Sequence, residues 1–173
     1  MLFPGRRWLQ DPRKILSPYI SEGMVVLEPG SAMGYFTLEM ARLVGPAGRV
    51  IAVDTQSREL EILMRRARRA GLADRIETRV ATATRLNLGG LDCKVDFAFV
   101  FAMAHEVDEP DGFFREIYQT IKPGGRMLLS EPVRHVTLRD FVATQASAEQ
   151  AGFVPESQPK IRASQSVLFA KKT

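Results

Sequence analysis

A chain of 173 residues, 45% hydrophobic and 25% charged, has the balance of a globular domain with enough apolar surface for a core, which excludes a disordered or fibrous protein. The single cysteine, Cys93, excludes an intramolecular disulfide and a multi-cysteine metal site. A net charge of +4 permits an anionic partner without requiring one, and no apolar run is long enough to span a bilayer.

The amino terminus, MLFPGRRWLQDPRKI, lacks the apolar stretch of a secretory signal, so a cytoplasmic location is expected. Residues 11–19 read as a short helix, with Asp11 as N-cap and Pro12 at its first position. Residues 24–27 form a first strand ending at Glu28. Residues 34–44 read as a helix that turns Phe36, Met40, Leu43 and Val44 to one face. A Gly-Pro-Ala-Gly turn leads to a second strand, residues 49–53, ending at Asp54. The next helix, residues 57–70, has Ser57 as its expected cap and Gly71 as its stop. Residues 75–80 are a third strand, and residues 81–93 carry no clear pattern. VDFAFVFA, residues 95–102, is nearly all apolar and reads as a central strand covered on both faces. A helix over 109–121 is broken by Lys122-Pro123-Gly124-Gly125. A fifth strand starts at residues 127–129 and ends near Glu131-Pro132. A helix over 137–151 and two last strands, at 153–154 and 167–170, complete the chain. Helices alternating with strands argue for an α/β fold with a mainly parallel sheet. With no repeat, low-complexity tract or linker, residues 1–173 read as one domain with an N-terminal segment over 1–22.

The chemistry concentrates between Val25 and Asp54, where a strand, a small-residue loop, a helix and a second strand form a βαβ unit. Such a unit binds nucleoside-containing ligands at the carboxyl ends of its strands. A dinucleotide fingerprint needs GxGxxG, but here Gly30, Ala32 and Gly34 stand in its place with the wrong spacing. Tyr35 after Gly34 rules out the phosphate-loop motif, and Glu28 would repel a pyrophosphate. The loop therefore favours a cationic or zwitterionic nucleoside over a polyphosphate.

Glu28-Pro29-Gly30-Ser31-Ala32-Met33-Gly34 resembles motif I of the class I S-adenosylmethionine-dependent methyltransferases, whose usual form is an acid followed by x-Gly-x-Gly-x-Gly. VDFAFVFAMAHEV resembles motif IV, and FFREIYQTIKPGGRMLLSEP looks like the helix, turn and fifth strand of the small-molecule group that includes the ubiquinone and menaquinone enzymes. The resemblance implies a three-layer, doubly wound α/β fold. Its sheet would have seven mostly parallel strands in the order 3-2-1-4-5-7-6, with strand seven antiparallel. It implies S-adenosylmethionine as cofactor and transfer of its methyl group, by in-line displacement, to a small organic acceptor. Methylation of RNA or protein, and a cofactor-binding module with no activity of its own, are the alternatives; nucleic acid is disfavoured by the mild charge. The implied cofactor residues are Glu28 for the ammonium, the loop residues Gly30, Ser31, Ala32 and Gly34, and Asp54 with Thr55 at the ribose. Thr82 and Ala83 stand at the adenine, and Phe101 at the end of the fourth strand.

Two positions depart from the family pattern. Ala32 replaces the middle glycine, tolerable if its φ is negative and crowding otherwise. Thr82 replaces an acid that would accept from adenine, a loss on the order of 1 kcal/mol. His105, beside the expected methyl position, is either a base for an oxygen or nitrogen nucleophile or only a pocket wall. Phe36 reads as core, and Tyr35 faces either the cofactor or the helix surface. The Arg65-Arg66-Ala67-Arg68-Arg69 run reads mainly as a solvated helix face rather than a phosphate site. Trp8, next to Arg6 and Arg7, either closes the substrate pocket or packs on the outer helices. Cys93 has no nearby histidine to make it a nucleophile. A chain this short leaves acceptor choice to the N-terminal segment and the loops after strands four and five.

Overall fold

The computed structural model describes residues 10–172. Helix α1 (Pro12–Leu16) opens with Asp11 accepting from the backbone N–H of Arg13, with Pro12 at the position where a missing N–H costs nothing. Strands β1 (Val25–Pro29), β2 (Arg49–Asp54), β3 (Ile76–Val80), β4 (Val95–Phe101), β5 (Ile121–Pro132), β6 (Val154–Ser157) and β7 (Ser164–Ala170) form one sheet. Their order is β3-β2-β1-β4-β5-β7-β6. β1 runs parallel to β2 and β4, as do β2 with β3 and β4 with β5, while β7 is antiparallel to β5 and β6. This is the sheet that the resemblance implies.

Helices α2 (Thr37–Leu43), α3 (Ser57–Arg69), α4 (Pro110–Thr120) and α5 (Leu138–Gln150) cover the sheet with α1. One core layer gathers Leu16, Val26, Phe36, Met40 and Leu63 on the side of α1, α2 and α3. The other gathers Leu27, Ile51, Phe114, Ile117 and Phe141 on the side of α4 and α5. Phe97, Phe99 and Val100 of β4 are fully buried, as its unbroken apolar run requires of a central strand.

Three local expectations are corrected. The helix after β1 starts at Thr37 rather than residue 34, because Ala32 and Gly34 hold positive φ values of 45° and 81° that no helix accepts. Gln56, not Ser57, caps α3 and makes no side-chain cap bond; Asp54 Oδ1 accepts the Gln56 N–H at 2.9 Å instead. Lys122 to Gly125 do not separate helix from strand but form the irregular start of β5, with a register shift opposite Val95 and Phe97. A Cβ on Gly125 would lie 2.7 Å from Ile121 Cγ2, so that irregularity requires glycine. The unpatterned residues 81–93 are a loop, anchored by buried Leu86, Leu88 and Leu91.

Because the order reverses between β1 and β4, their crossover helices depart to opposite sides. A crevice opens there, outside the carboxyl ends of the strands.

Candidate active site

At that crevice the loop after β1 folds back on β2. The N–H groups of Gly30 and Ser31 both donate to Val53 O, at 2.8 and 3.0 Å. The Ala32 N–H donates to Asp54 Oδ2 at 2.9 Å. Asp54 thus holds the loop with one oxygen and the start of α3 with the other. A carboxylate has about four acceptor positions, so two remain for a ligand. From α3, Arg66 Nη1 donates to Met33 O. Leu63 packs so closely on Gly34 that a Cβ there would lie 2.8 Å from Leu63 Cγ.

The loop borders a cavity of about 500 Å³. Seven of the ten predicted cofactor residues line it: Gly30, Ala32, Asp54, Thr55, Thr82, Ala83 and Phe101. Gly30 leaves room because a Cβ would sit 3.0 Å from Met103 Cγ across the opening. Among the described residues, five acids line the cavity, Asp54, Glu106, Asp108, Glu109 and Glu116, against one base, Arg85. That excess opposes the positive charge of the whole chain and favours a cationic ligand.

Three predicted cofactor residues lie behind the cavity wall. Glu28 is 4% exposed and accepts from Thr37 Oγ1. Burial pushes its carboxyl up to about 8; the Thr37 bond opposes this and the Asp54 charge adds to it. Ser31 is buried, and its Oγ has no hydrogen-bond partner among the described residues. Gly34 packs under α3 as described. Ala32, at φ 45°, sits in the left-handed region rather than at the negative φ on which its tolerance was conditioned. The Thr82 hydroxyl is occupied by the turn to Arg85, accepting that residue's N–H at 3.0 Å.

His105 stands in a short 3₁₀ turn, Ala104–Glu106, beyond β4, beside but not among the lining residues. Its Nδ1 lies 2.6 Å from Glu131 Oε2 at the end of β5. Glu131 is fully buried, and its Oε1 accepts the Ala104 N–H at 2.7 Å. The sequence reading passed over Glu131, although an acid at the end of a parallel strand is the signal that singled out Glu28 and Asp54. Arg66, expected on the solvated face of its helix, instead donates to the Met33 carbonyl of the β1 loop. Tyr35 turns from the cavity to donate to Gln10 O at 2.9 Å. Arg6, Arg7 and Trp8 lie outside the described residues. None of residues 10–22 lines the cavity; Leu16 and Ile20 are buried in the core.

Sheet order, crevice and acid-ended strands define a nucleoside-binding α/β protein of the methyltransferase type. Residues 20–165 match the family described as a methyltransferase domain, and the chain belongs to that family, the class I S-adenosylmethionine-dependent methyltransferases. It is 30% identical over 112 residues to the ubiquinone/menaquinone biosynthesis C-methyltransferase UbiE of Pasteurella multocida, a match covering 65% of this chain and 41% of that protein. It is 32% identical over 114 residues to UbiE of Hahella chejuensis, covering 65% of this chain and 44% of the relative. The match thus spans less than half the length of these relatives. Among solved structures, an S-adenosylmethionine-dependent methyltransferase from Aquifex aeolicus superimposes with a TM-score of 0.86 at 23% identity, over 98% of this chain and 94% of that one. The cofactor of the family is S-adenosylmethionine. No helix among the described residues is long and apolar enough to cross a membrane.

Proposed function

We propose that this chain transfers a methyl group from S-adenosylmethionine to a small organic acceptor by in-line displacement. The observation that carries the reading is the acid-lined cavity of about 500 Å³ at the β1–β4 crevice, where Gly30 and Asp54 meet. Its volume is within the range of small-molecule sites, about 300 to 1,000 Å³. Bound there, S-adenosylmethionine supplies an electrophilic methyl group.

The chain's residues bind and orient. Asp54 has acceptor capacity for the two ribose hydroxyls. The Ser31 hydroxyl, without a hydrogen-bond partner among the described residues, and the buried Glu28 stand behind the loop, on the side assigned to the methionine end. Thr55, Thr82, Ala83 and Phe101 form walls for the nucleoside, with the Ala83 N–H rather than the engaged Thr82 hydroxyl assigned to adenine. Aligning acceptor and methyl group can by itself supply roughly 7 to 11 kcal/mol of barrier reduction. The acidic lining supports a small acceptor over RNA, whose phosphates it would repel.

Calorimetry with S-adenosylmethionine and S-adenosylhomocysteine, followed by methyl-transfer assays on small acceptors, tests the proposal. Binding of both with turnover is the expected result. Failure of either to bind at millimolar concentration refutes it, and binding without turnover across the panel assigns the chain to cofactor binding alone.

A further inference from the structure

A second hollow, of about 170 Å³, lies at the amino ends of β4 and β5, across the sheet from the crevice. Phe97 backs it, and the Tyr19 ring stacks on Phe97 with centroids 5.6 Å apart and planes 7° from parallel. Arg126 stands opposite Phe97 in the sheet register, so both side chains leave the same face. The irregular start of β5 forms another wall. The Gly124 N–H donates to Lys171 O at 2.8 Å and the Lys171 N–H to Gly125 O at 2.9 Å, which ties that wall to the end of β7. The hollow is therefore shaped before any ligand enters.

Its charges do not balance. Lys122 Nζ donates to Asp96 Oδ1 at 2.6 Å, and Asp96 Oδ2 accepts the Val25 N–H at 2.8 Å, so lysine and aspartate neutralise each other. Arg126 is half-buried and has no carboxylate partner among the described residues. Burial raises the pKa of the Tyr19 phenol, and the Arg126 guanidinium opposes that shift, as a cation near the hydroxyl must. The Tyr19 hydroxyl also has no hydrogen-bond partner among the described residues. Two donors without acceptors thus line one hollow.

We infer that this hollow is a second binding site, for a small organic monocarboxylate whose charge pairs with the fork of Arg126 and whose flat apolar body lies beside Tyr19 and Pro123. The inference is independent of the methyl-transfer reading. A planar guanidinium matches a carboxylate with two parallel hydrogen bonds, and one uncompensated positive charge suits a monoanion better than a phosphate dianion. With about a third of the volume of the crevice cavity, the hollow has room for little more than one ring. The acid-lined crevice repels the same ligand, so the two ends of the sheet select opposite charges.

NMR titration of the nitrogen-15-labelled full chain with sodium benzoate, at constant ionic strength, tests the inference. Saturable shifts are expected at Phe97, Gly124, Gly125 and Arg126, and none at Gly30 or Ala32. Arg126→Gln is expected to weaken benzoate about tenfold, the scale of one charge-assisted pair, with S-adenosylhomocysteine affinity within twofold of the parent. Should that variant not fold, Arg126→Lys, which keeps the charge and loses the fork, must weaken benzoate about threefold. Shifts that never saturate, shifts centred on the crevice, or unchanged affinity in the folded Arg126 variant each overturn the inference. Inorganic phosphate that binds as tightly with the same shifts overturns the carboxylate assignment.

Discussion

Glu28→Gln should make the protein more stable, and by an amount that depends on pH. Glu28 is 4% exposed, with Thr37 Oγ1 donating to its Oε2. Burial raises its pKa from 4.5 to about 8, so the folded chain keeps a proton that the unfolded chain releases. The protonated form's contribution is fully present below pH 4.5, falls away as pH rises, and is exhausted once pH passes about 8. At about 1.4 kcal/mol per pH unit, the full loss approaches 5 kcal/mol as an upper bound, with roughly 3 kcal/mol already lost at pH 7. Glutamine mimics the protonated acid and can still accept from Thr37, so it removes this dependence. Urea denaturation of both proteins at pH 5 and pH 9 gives the comparison, since every other titrating group cancels between them. The two should differ little at pH 5, and the variant should be several kcal/mol more stable at pH 9. An equal difference at both pH values would refute the burial account. The same variant tests the ligand role: if Glu28 serves the cofactor's ammonium, S-adenosylmethionine should bind the variant more weakly, most clearly above pH 8.

Asp54→Ala removes the ribose acceptor and the anchor of the Ala32 N–H together, and should weaken S-adenosylhomocysteine at least tenfold by calorimetry; unchanged affinity would reject the ribose assignment. Ala32→Gly relieves a left-handed alanine that costs about 1 kcal/mol, partly offset by glycine's freedom in the unfolded chain. Its melting temperature should hold or rise by a few degrees, and a clear fall would contradict the strain argument. Gly34→Ala places a Cβ 2.8 Å from Leu63 Cγ at φ 81° and should cost about 1 to 3 kcal/mol in denaturant unfolding. Arg66→Ala frees the Met33 carbonyl, and several-fold weaker cofactor binding with little change in melting temperature is the expected signature.

What could be read from the sequence depended on the range of the interaction. The strands and helices were visible because hydrophobic periodicity is local, and the β1 loop because its glycines and flanking acids are consecutive. Sheet order came from the family resemblance, since pairing β1 with β4 joins residues about 70 apart and leaves no local trace. The Glu131–His105 pair spans 26 positions and the Arg66–Met33 contact 33, so neither could be seen in a local pattern. The late start of α2 was hidden for a different reason. Its residues suit a helix, but Gly34 is committed to a left-handed turn by the close packing of Leu63, a tertiary constraint. Thr82 looked available to adenine because its composition shows a hydroxyl but not the Arg85 backbone that occupies it.

Why an alanine persists at φ 45° follows from how thoroughly the β1 loop is determined. Val53 O takes the N–H groups of both Gly30 and Ser31, Asp54 takes that of Ala32, and Arg66 holds the Met33 carbonyl. These contacts fix Ala32 and the residues on either side of it, and together they outweigh a strain of about 1 kcal/mol. A loop so held is already in its binding shape, and a ligand entering it pays little ordering entropy. The arrangement also divides the labour at Asp54. One residue closes the loop through a backbone N–H and keeps acceptor positions for the ligand, so loop shape and ligand affinity are coupled through a single carboxylate. That coupling accounts for an acid at the end of β2 independently of the acid at the end of β1. Asp54 faces the cavity and works as an open acceptor, whereas Glu28, sealed under the loop, is held neutral at pH 7 by its own burial.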